Sequence, residues 1–393
     1  MFKIKTYNSI APKGLQVFEN NSYMLNESDN PDGILLRSFN LHDESIAQSV
    51  KAIARAGVGV NNIPVKELSE QGVVVFNTPG ANANAVKELV LLSLFVSSRN
   101  FLPAIEWTNT LKIDNSTSIP SQVESGKKQF VGNEIRGKRF GVIGVGAIGV
   151  LVANDALALG MDVVAYDPFI SVNTAWQLSS NVQRAHNMDE IFSTCDYITL
   201  HVPLTDKTRN IIDEAAIGKM KTGVRLLNFS RAELVNVEHL QDALEKEKIS
   251  NYITDFPTEK LLKMKNVITI PHLGASTVEA EENCAFMAAS TLKQYLETGN
   301  IQHSVNFPNV YLPFTRLSRV TVAHKNIPNM VGQITAVLAQ YEMNIANMLN
   351  SSKDLWAYTI IDLDSKAEHK DSIIQKLLTI DGIKKVRIIE NER

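Results

Sequence analysis

The sequence predicts an α/β protein with two βαβ domains in tandem and a small α+β unit after them. Three observations lead there. Short apolar runs alternate with amphipathic helical patterns along most of the chain, which is how units of a parallel sheet read. One run, Phe140 to Ile143, opens into Gly144, Gly146 and Gly149, spaced G-x-G-x-x-G. From Arg319 to Ile389 the pattern changes to strand, helix, strand, strand, helix, strand, a ferredoxin-like order.

A chain of 393 residues is too long for one core, so two or three domains are expected. With 44% hydrophobic and 21% charged residues and a net charge of −3, the composition is that of an ordinary globular protein. No long basic run is present, which argues against nucleic acid or a membrane surface as the main partner. The stretch Met1 to Tyr7 alternates like a strand and lacks the apolar core of a signal peptide, and no apolar window spans a bilayer. A cytoplasmic protein is the expectation. Cys195 and Cys284 stand far apart without metal-ligand spacing, so no metal is expected and both read as small buried apolar residues.

Met1 to Tyr7, Ile34 to Leu36, Ala52 to Ala54 and Val73 to Phe76 read as strands. His42 to Val50 and Val65 to Gln71 read as helices. Ala83 to Ser98 is an apolar helix too hydrophobic for a surface, expected to cross between domains or pack at a subunit interface. Pro103 to Gly132 reads as polar and irregular. Later strands are expected at Tyr197 to Leu200, Val224 to Leu227, Tyr252 to Ile253 and Val267 to Ile270. A helix follows, capped by Ser276 or Thr277 and stopped at Gly299,. Pro308 and Pro313 mark a linker,. In the last unit, Val320 to Ala323, Ile345 to Leu349, Trp356 to Leu363 and Lys385 to Ile389 read as strands, and Met330 to Gln340 and Asp371 to Thr379 as helices.

The glycine triplet carries the chemistry. Its glycines permit a tight turn and let the backbone approach a pyrophosphate at a helix N-terminus. Ala147 and Ile148 complete the turn, and the strand Val163 to Tyr166 ends at Asp167. That acid lies about 18 positions beyond Gly149, near the ~20-residue offset of the carboxylate that meets a ribose 2′-hydroxyl. NAD is the expected cofactor, because this acid would repel a 2′-phosphate.

Three later segments each end a predicted strand, where ligands bind in open α/β sheets. They contain Arg231, Glu259 and His272. An imidazole suits proton transfer near neutrality. A carboxylate in contact would favour imidazolium. A guanidinium fork matches a substrate carboxylate.

The chain resembles the D-isomer-specific 2-hydroxyacid dehydrogenases, in the branch with a C-terminal ACT domain. The resemblance rests on LLRS at Leu35 to Ser38, RAGVGVNN at Arg55 to Asn62, NTPGANANAVKELV at Asn77 to Val90 and GKKQFVG at Gly126 to Gly132. It continues through the glycine motif, HVPLTDKT at His201 to Thr208, NFSRAELV at Asn228 to Val235, PHLGAST at Pro271 to Thr277 and VNFP at Val305 to Pro308. It implies two Rossmann-like or flavodoxin-like domains with a cleft between them. Residues 1–100 and 276–305 would form a discontinuous substrate domain, 101–275 the NAD domain, 306–318 a linker and 319–393 the ACT domain.

The resemblance implies Arg231, Glu259 and His272 as the catalytic trio. It adds His201, Pro203, Thr208, Ser230, Asp255 and Gly274 to the cofactor site. Arg37, Ser38, Arg55, the backbone at Gly57 and Val58, Asn82 and Lys128 would hold substrate, and this gathering of cations suits a phosphorylated 2-hydroxy acid. The implied reaction is oxidation of D-3-phosphoglycerate to 3-phosphohydroxypyruvate, the first step of L-serine synthesis. Serine would be an effector held by His324, Asn326 and Asn344 in paired ACT domains of a homodimer or homotetramer. Two rival readings are a reductase of an unphosphorylated 2-keto acid and a non-catalytic NAD-sensing protein. This chain departs from the family pattern in three places. Thr254-Asp255 stands where many relatives have Asp-Val, Ala232-Glu233 where many have two glycines, and Asn329 where a glycine is usual.

Overall fold

The computed structural model describes residues 1–19, 22–113 and 118–391. The chain divides into two compact units, Met1–Ala81 with Val278–Arg393, and Asn82–Thr277. The first opens with β1 (Phe2–Tyr7), α1 (Pro12–Leu15), β2 (Tyr23–Leu25), β3 (Gly33–Leu36), β4 (Ala52–Arg55), α2 (Val65–Glu70) and β5 (Val74–Phe76). The five strands are parallel in the order β2-β1-β3-β4-β5, the doubly wound flavodoxin-like order. All four residues of β3 are buried, as expected of a parallel strand covered on both faces.

Residues His42 to Val50, expected as a helix, form turns instead. Local polar bonds replace helical ones there. The His42 amide donates to Asn40 Oδ1, and Ser49 Oγ donates to the Pro31 carbonyl. Such side-chain bonds compete with a helix that has little apolar surface to bury.

The second unit runs α3 (Ala83–Ser98), α4 (Phe101–Thr108), α5 (Ile119–Gly126), β6 (Arg139–Ile143), α6 (Ala147–Ala158), β7 (Asp162–Tyr166), α7 (Val172–Ala175), β8 (Gln183–Arg184), α8 (Met188–Thr194), β9 (Tyr197–Leu200), α9 (Glu214–Lys219), β10 (Val224–Asn228), α10 (Val237–Glu245), β11 (Ile249–Thr254) and β12 (Val267–Thr269). Its seven-stranded parallel sheet has the order β12-β11-β10-β9-β6-β7-β8, the Rossmann order extended by one strand. Helix α3 belongs to this unit, so the division falls at Ala81/Asn82, ahead of the expected 100/101. The reason is packing: Val86, Val90 and Leu94 share a core with Phe140, Val142 and Val150. The stretch expected to be irregular holds α4 and α5, and Ser118 caps α5 by accepting the Ser121 amide. Residues 114–117 of that stretch lie outside the described residues.

The chain returns to the first unit through α11 (Val278–Thr298), then β13 (Ser318–Lys325), α12 (Met330–Gln340), β14 (Ile345–Lys353), β15 (Trp356–Leu363), α13 (Lys370–Leu378) and β16 (Ile383–Glu390). Gly299, at φ +72°, stops α11 as expected,. The antiparallel order β14-β15-β13-β16 is ferredoxin-like. Helices α12 and α13 cover one face, where Val320, Val322, Ile334, Ile361 and Ile373 cluster. From the other face Ala323, Tyr358 and Ile360 join Tyr295 and Phe307 in the core of the five-stranded sheet.

One fully buried ion pair fixes that junction. Arg319 and Asp362 are directly opposed in β13 and β15. The guanidinium donates to both oxygens of Asp362, at 2.6 and 3.0 Å, and to the carbonyls of Thr298 and Leu312, each at 2.8 Å. Phe307 and Val310 are buried, so the linker region is packed in place. Among the described residues no single helix is long and apolar enough to cross a membrane.

Candidate active site at the carboxyl edge of the second sheet

The order of strands sorts the site residues. Read across the sheet from β12 to β7, the segments just past the strand ends carry His272, Asp255, Ser230 with Arg231, His201, the glycine turn and Asp167. The chain reverses its direction of winding between β6 and β9, and ligands bind outside the carboxyl ends at such a switch point.

The glycine turn fits a dinucleotide. Gly144 takes φ +93°, and a Cβ there would meet the His201 carbonyl at 2.5 Å. A Cβ on Gly149 would strike the Gly144 carbonyl, whereas one on Gly146 would meet nothing within 4 Å. The first glycine and the last are therefore needed for folding, and Gly146 leaves an open approach. Gly146 caps α6 with no side-chain bond, so the amides around Ala147 and Ile148 are available to a phosphate. At the end of β7 the Asp167 carboxylate accepts the Val145 and Phe169 amides, each at 2.8 Å. These bonds hold the acid against the glycine turn. The group present when this site is filled would accept a hydride; the residues here bind and orient it.

His201 follows β9. One ring nitrogen meets Thr199 Oγ1 at 3.0 Å, and Nδ1 is buried with no hydrogen-bond partner among the described residues. Burial pushes the imidazole down to about 4, so it is neutral at physiological pH. Thr208 donates to the Pro203 carbonyl at 2.6 Å, and Ser230 Oγ donates to the Val202 carbonyl at 2.7 Å. These bonds tie the loop after β9 to the end of β10. Asn228, which sequence reasoning did not single out, is buried and donates to the Arg231 carbonyl at 2.9 Å. It shapes the turn that presents the exposed Arg231. The only signal was its place in the NFSRAELV segment.

His272 is exposed, and its ring stands edge-on to Phe256 at 5.0 Å between centroids. Glu259 does not meet the expectation of an acid against this imidazole. Its carboxylate is exposed and pairs with Lys263 at 2.6 Å, one helical turn on. The loop after β11 carries it out into solvent, where the nearer lysine captures it. Asp255 is 1% exposed; burial pushes its carboxyl up, against the pull of the His272 charge. Gly274 donates its amide to Asp255 Oδ2 at 3.3 Å, and Oδ1 is buried without a partner.

In the first unit, the ends of β3 and β4 gather Arg37, Ser38, Arg55, Gly57 and Val58. Arg37 is held by Glu281 of α11 at 2.6 Å. Arg55 donates to the carbonyls of Arg37 and Gly59, so its guanidinium staples the two turns. Burial pushes Arg55 down, and the Arg37 charge adds to that. The Ser38 amide is capped by Asn8 at 3.1 Å. Buried Cys284 lies beside these arginines, and burial pushes its thiol up. Asn82 and Lys128 belong to the second unit instead. Asn82 Oδ1 is buried with no hydrogen-bond partner among the described residues, Lys127 pairs with Glu124, and Lys128 is exposed.

The three expected effector residues do not form one cluster. His324 is buried, with one ring nitrogen on the Lys325 carbonyl and the other on Thr359 Oγ1. Asn326 donates to the Asp354 carbonyl, and Asn344 to Asp364. Asn329 takes φ +62°, the left-handed conformation a glycine would adopt.

The fold and this edge define a dinucleotide-binding α/β protein. A model of the D-isomer specific 2-hydroxyacid dehydrogenase, NAD binding domain, matches residues 96–274. The D-3-phosphoglycerate dehydrogenase of Haemophilus influenzae is 30% identical over 344 residues, covering 84% of this chain and 79% of that protein. The enzyme of the same name from Methanocaldococcus jannaschii is 34% identical over 78% of this chain, and the chain spans 56% of its length. With Synechocystis the identity is 38%, over 71% of this chain and 49% of the relative; the chain thus spans about half the length of these last two. Among solved structures, NAD⁺-bound 3-phosphoglycerate dehydrogenase of Entamoeba histolytica superposes with a TM-score of 0.59 at 26% identity, over 79% of this chain and 99% of that one. The chain belongs to the D-isomer-specific 2-hydroxyacid dehydrogenase family, and it carries that family's NAD binding domain.

Proposed function

We propose that the chain oxidises D-3-phosphoglycerate to 3-phosphohydroxypyruvate with NAD⁺, as the first step of L-serine synthesis. The observation that carries this reading is the sequence of groups along one sheet edge, from a solvent-facing imidazole to a glycine turn open to a pyrophosphate. NAD⁺, held at the glycine turn of Gly144, Gly146 and Gly149, would take up the hydride that leaves C2. The C2 hydroxyl proton goes to the His272 imidazole, which leaves a carbonyl at C2. Arg231 holds the substrate carboxylate and steadies the developing carbonyl oxygen. For the phosphate the resemblance implies the cations Arg37, Arg55 and Lys128. The names of the relatives support this substrate over an unphosphorylated one.

The test is NADH appearance with 3-phosphoglycerate beside lactate, glycerate and 2-hydroxyglutarate. Charge removal at Lys128 should raise KM for the phosphorylated substrate several-fold and leave glycerate unaffected. Equal effects on both would favour the unphosphorylated 2-keto acid reading. No NADH from any 2-hydroxy acid would favour an NAD-sensing protein.

Serine regulation is part of the same proposal. His324 has both ring nitrogens bonded within the chain, and Asn326 and Asn344 are the exposed members of the set. Millimolar serine that alters neither rate nor melting temperature would remove this part. Self-association is supported by exposed Leu92, Phe95, Phe101 and Ile105 on α3 and α4,. Light scattering of the purified chain reads the oligomer directly.

A further inference from the structure

The turn after β3 and the start of α11 meet over one guanidinium. Glu281 is the fourth residue of α11 and lies in its acidic first turn, where the helix dipole favours a carboxylate. Its Oε1 accepts from Arg37 Nη2 at 2.6 Å. Both elements belong to the first unit. One turn further along α11, Cys284 is buried beside Arg37 and Arg55. This face of the helix therefore stands over the ends of β3 and β4.

The pair does not shape the turn. The Arg37 carbonyl accepts from Arg55 Nε at 2.9 Å and Asn62 Nδ2 at 3.3 Å, and the amides of Ser38 and Phe39 donate to Asn8 Oδ1. The backbone is thus fixed without Glu281. The side chains of Arg37 and Glu281 are 42% and 41% exposed, so water reaches the bond and it opens at little cost. Arg55 differs, because its guanidinium is committed to the carbonyls of Arg37 and Gly59. Among the described residues, Glu281 is the one hydrogen-bond partner of the Arg37 guanidinium. Arg37 is the cation of this edge that can change partner.

A phosphate monoester carries about two negative charges near neutrality, and a carboxylate carries one. A phosphate brought to Arg37 meets the guanidinium together with the Glu281 charge. At contact distances that repulsion is comparable to the attraction it opposes, so the two anions exchange rather than share. Glycerate has a hydroxyl in place of the phosphate and does not enter this competition.

We propose that Glu281 is a specificity-determining residue that competes with the substrate phosphate for Arg37 and so holds down the affinity for the phosphorylated substrate. The proposal rests on the reading that assigns the phosphate to Arg37.

The experiment measures by calorimetry, at one fixed ionic strength, the affinity of the full-length chain loaded with NADH for 3-phosphoglycerate and for glycerate. NADH cannot accept a hydride, so binding is read without turnover. Glu281→Gln should bind 3-phosphoglycerate about two- to fivefold more tightly and glycerate as before. In turnover the gain should appear in KM rather than in kcat. Glu282→Gln removes a neighbouring acid whose partner is Lys13 at 3.6 Å, and should change neither affinity. In an Arg37→Gln background, Glu281→Gln should lose its effect. All these side chains lie at half-open surface pairs, so the variants keep the fold. An unchanged or weaker affinity for 3-phosphoglycerate in Glu281→Gln overturns the proposal, and so does an equal gain with glycerate or in Glu282→Gln. A full gain without Arg37, or no binding of 3-phosphoglycerate by either the unaltered chain or Glu281→Gln, also overturns it. Binding of 3-phosphoglycerate without NADH formation by the unaltered chain would remove the oxidation reading alone, with the competition at Arg37 still measured.

Discussion

Two buried carboxylates in this chain have opposite surroundings. Asp362 is fully enclosed and has both oxygens bound by Arg319, whose remaining donors reach the carbonyls of Thr298 and Leu312. Asp255 is equally enclosed, with one oxygen on a long amide bond and the other unmatched. A satisfied buried ion is architecture: removing a partner strands the other charge. An unsatisfied one at a strand end stores an electrostatic preference that a neighbour can use. The difference marks the Arg319 junction as the fastener of the small domain and the Asp255 edge as a candidate for chemistry.

Breaking the two regions should have effects of different kind. The largest is expected at the edge. His272→Ala should lower turnover at least 100-fold while NAD binding, followed by calorimetry, stays within about twofold; near-normal turnover would remove the imidazole from the reaction. Next comes the fastener. Arg319→Ala leaves Asp362 buried and unpaired, and should cost about 3–5 kcal/mol of stability, read by urea unfolding. The double change Arg319→Met with Asp362→Leu should recover most of that loss, because no charge is then stranded.

A smaller, pH-dependent effect sharpens the contrast on the side of the edge. His201 is held neutral, with its proton affinity lowered from 6.5 to about 4. Unfolding frees it to take a proton. Its contribution is therefore complete above about pH 6.5 and is lost as pH falls through 4, a change of roughly 1–3 kcal/mol. His201→Gln should flatten that acid limb, and an unchanged limb would place the titration elsewhere. The smallest effect is expected at the exposed pair of Lys127 with Glu124. Lys127→Ala should change stability by less than about 1 kcal/mol.

Much of the fold was legible because period and punctuation are local. The glycine spacing, the apolar runs of β3, β9 and β10, the helix Met330–Gln340 and the strand Trp356–Leu363 all follow from patterns within a dozen residues. Other elements failed for the same reason. His42 to Val50 has helical spacing, yet its polar side chains bond to nearby and distant backbone instead. Residues between Pro103 and Gly132 lack strong periodicity, and their helices α4 and α5 bury no residue fully. The site was legible as a set of residue types: a glycine turn, a histidine after a proline, an arginine after a strand. Asn228 was missed because its role is to bond a carbonyl three residues on, which spacing does not announce.

The sequence by itself determined most of the element types, the nucleotide turn and the residue types of the candidate site, since these depend on short-range geometry and on side-chain chemistry. Only the tertiary structure decided that Glu259 pairs with Lys263, where α3 belongs, and that the terminal sheet is clamped by an enclosed arginine. Those outcomes depend on which groups lose water together. Residues remote in the chain settle that question once strands take their order and loops cross their ends.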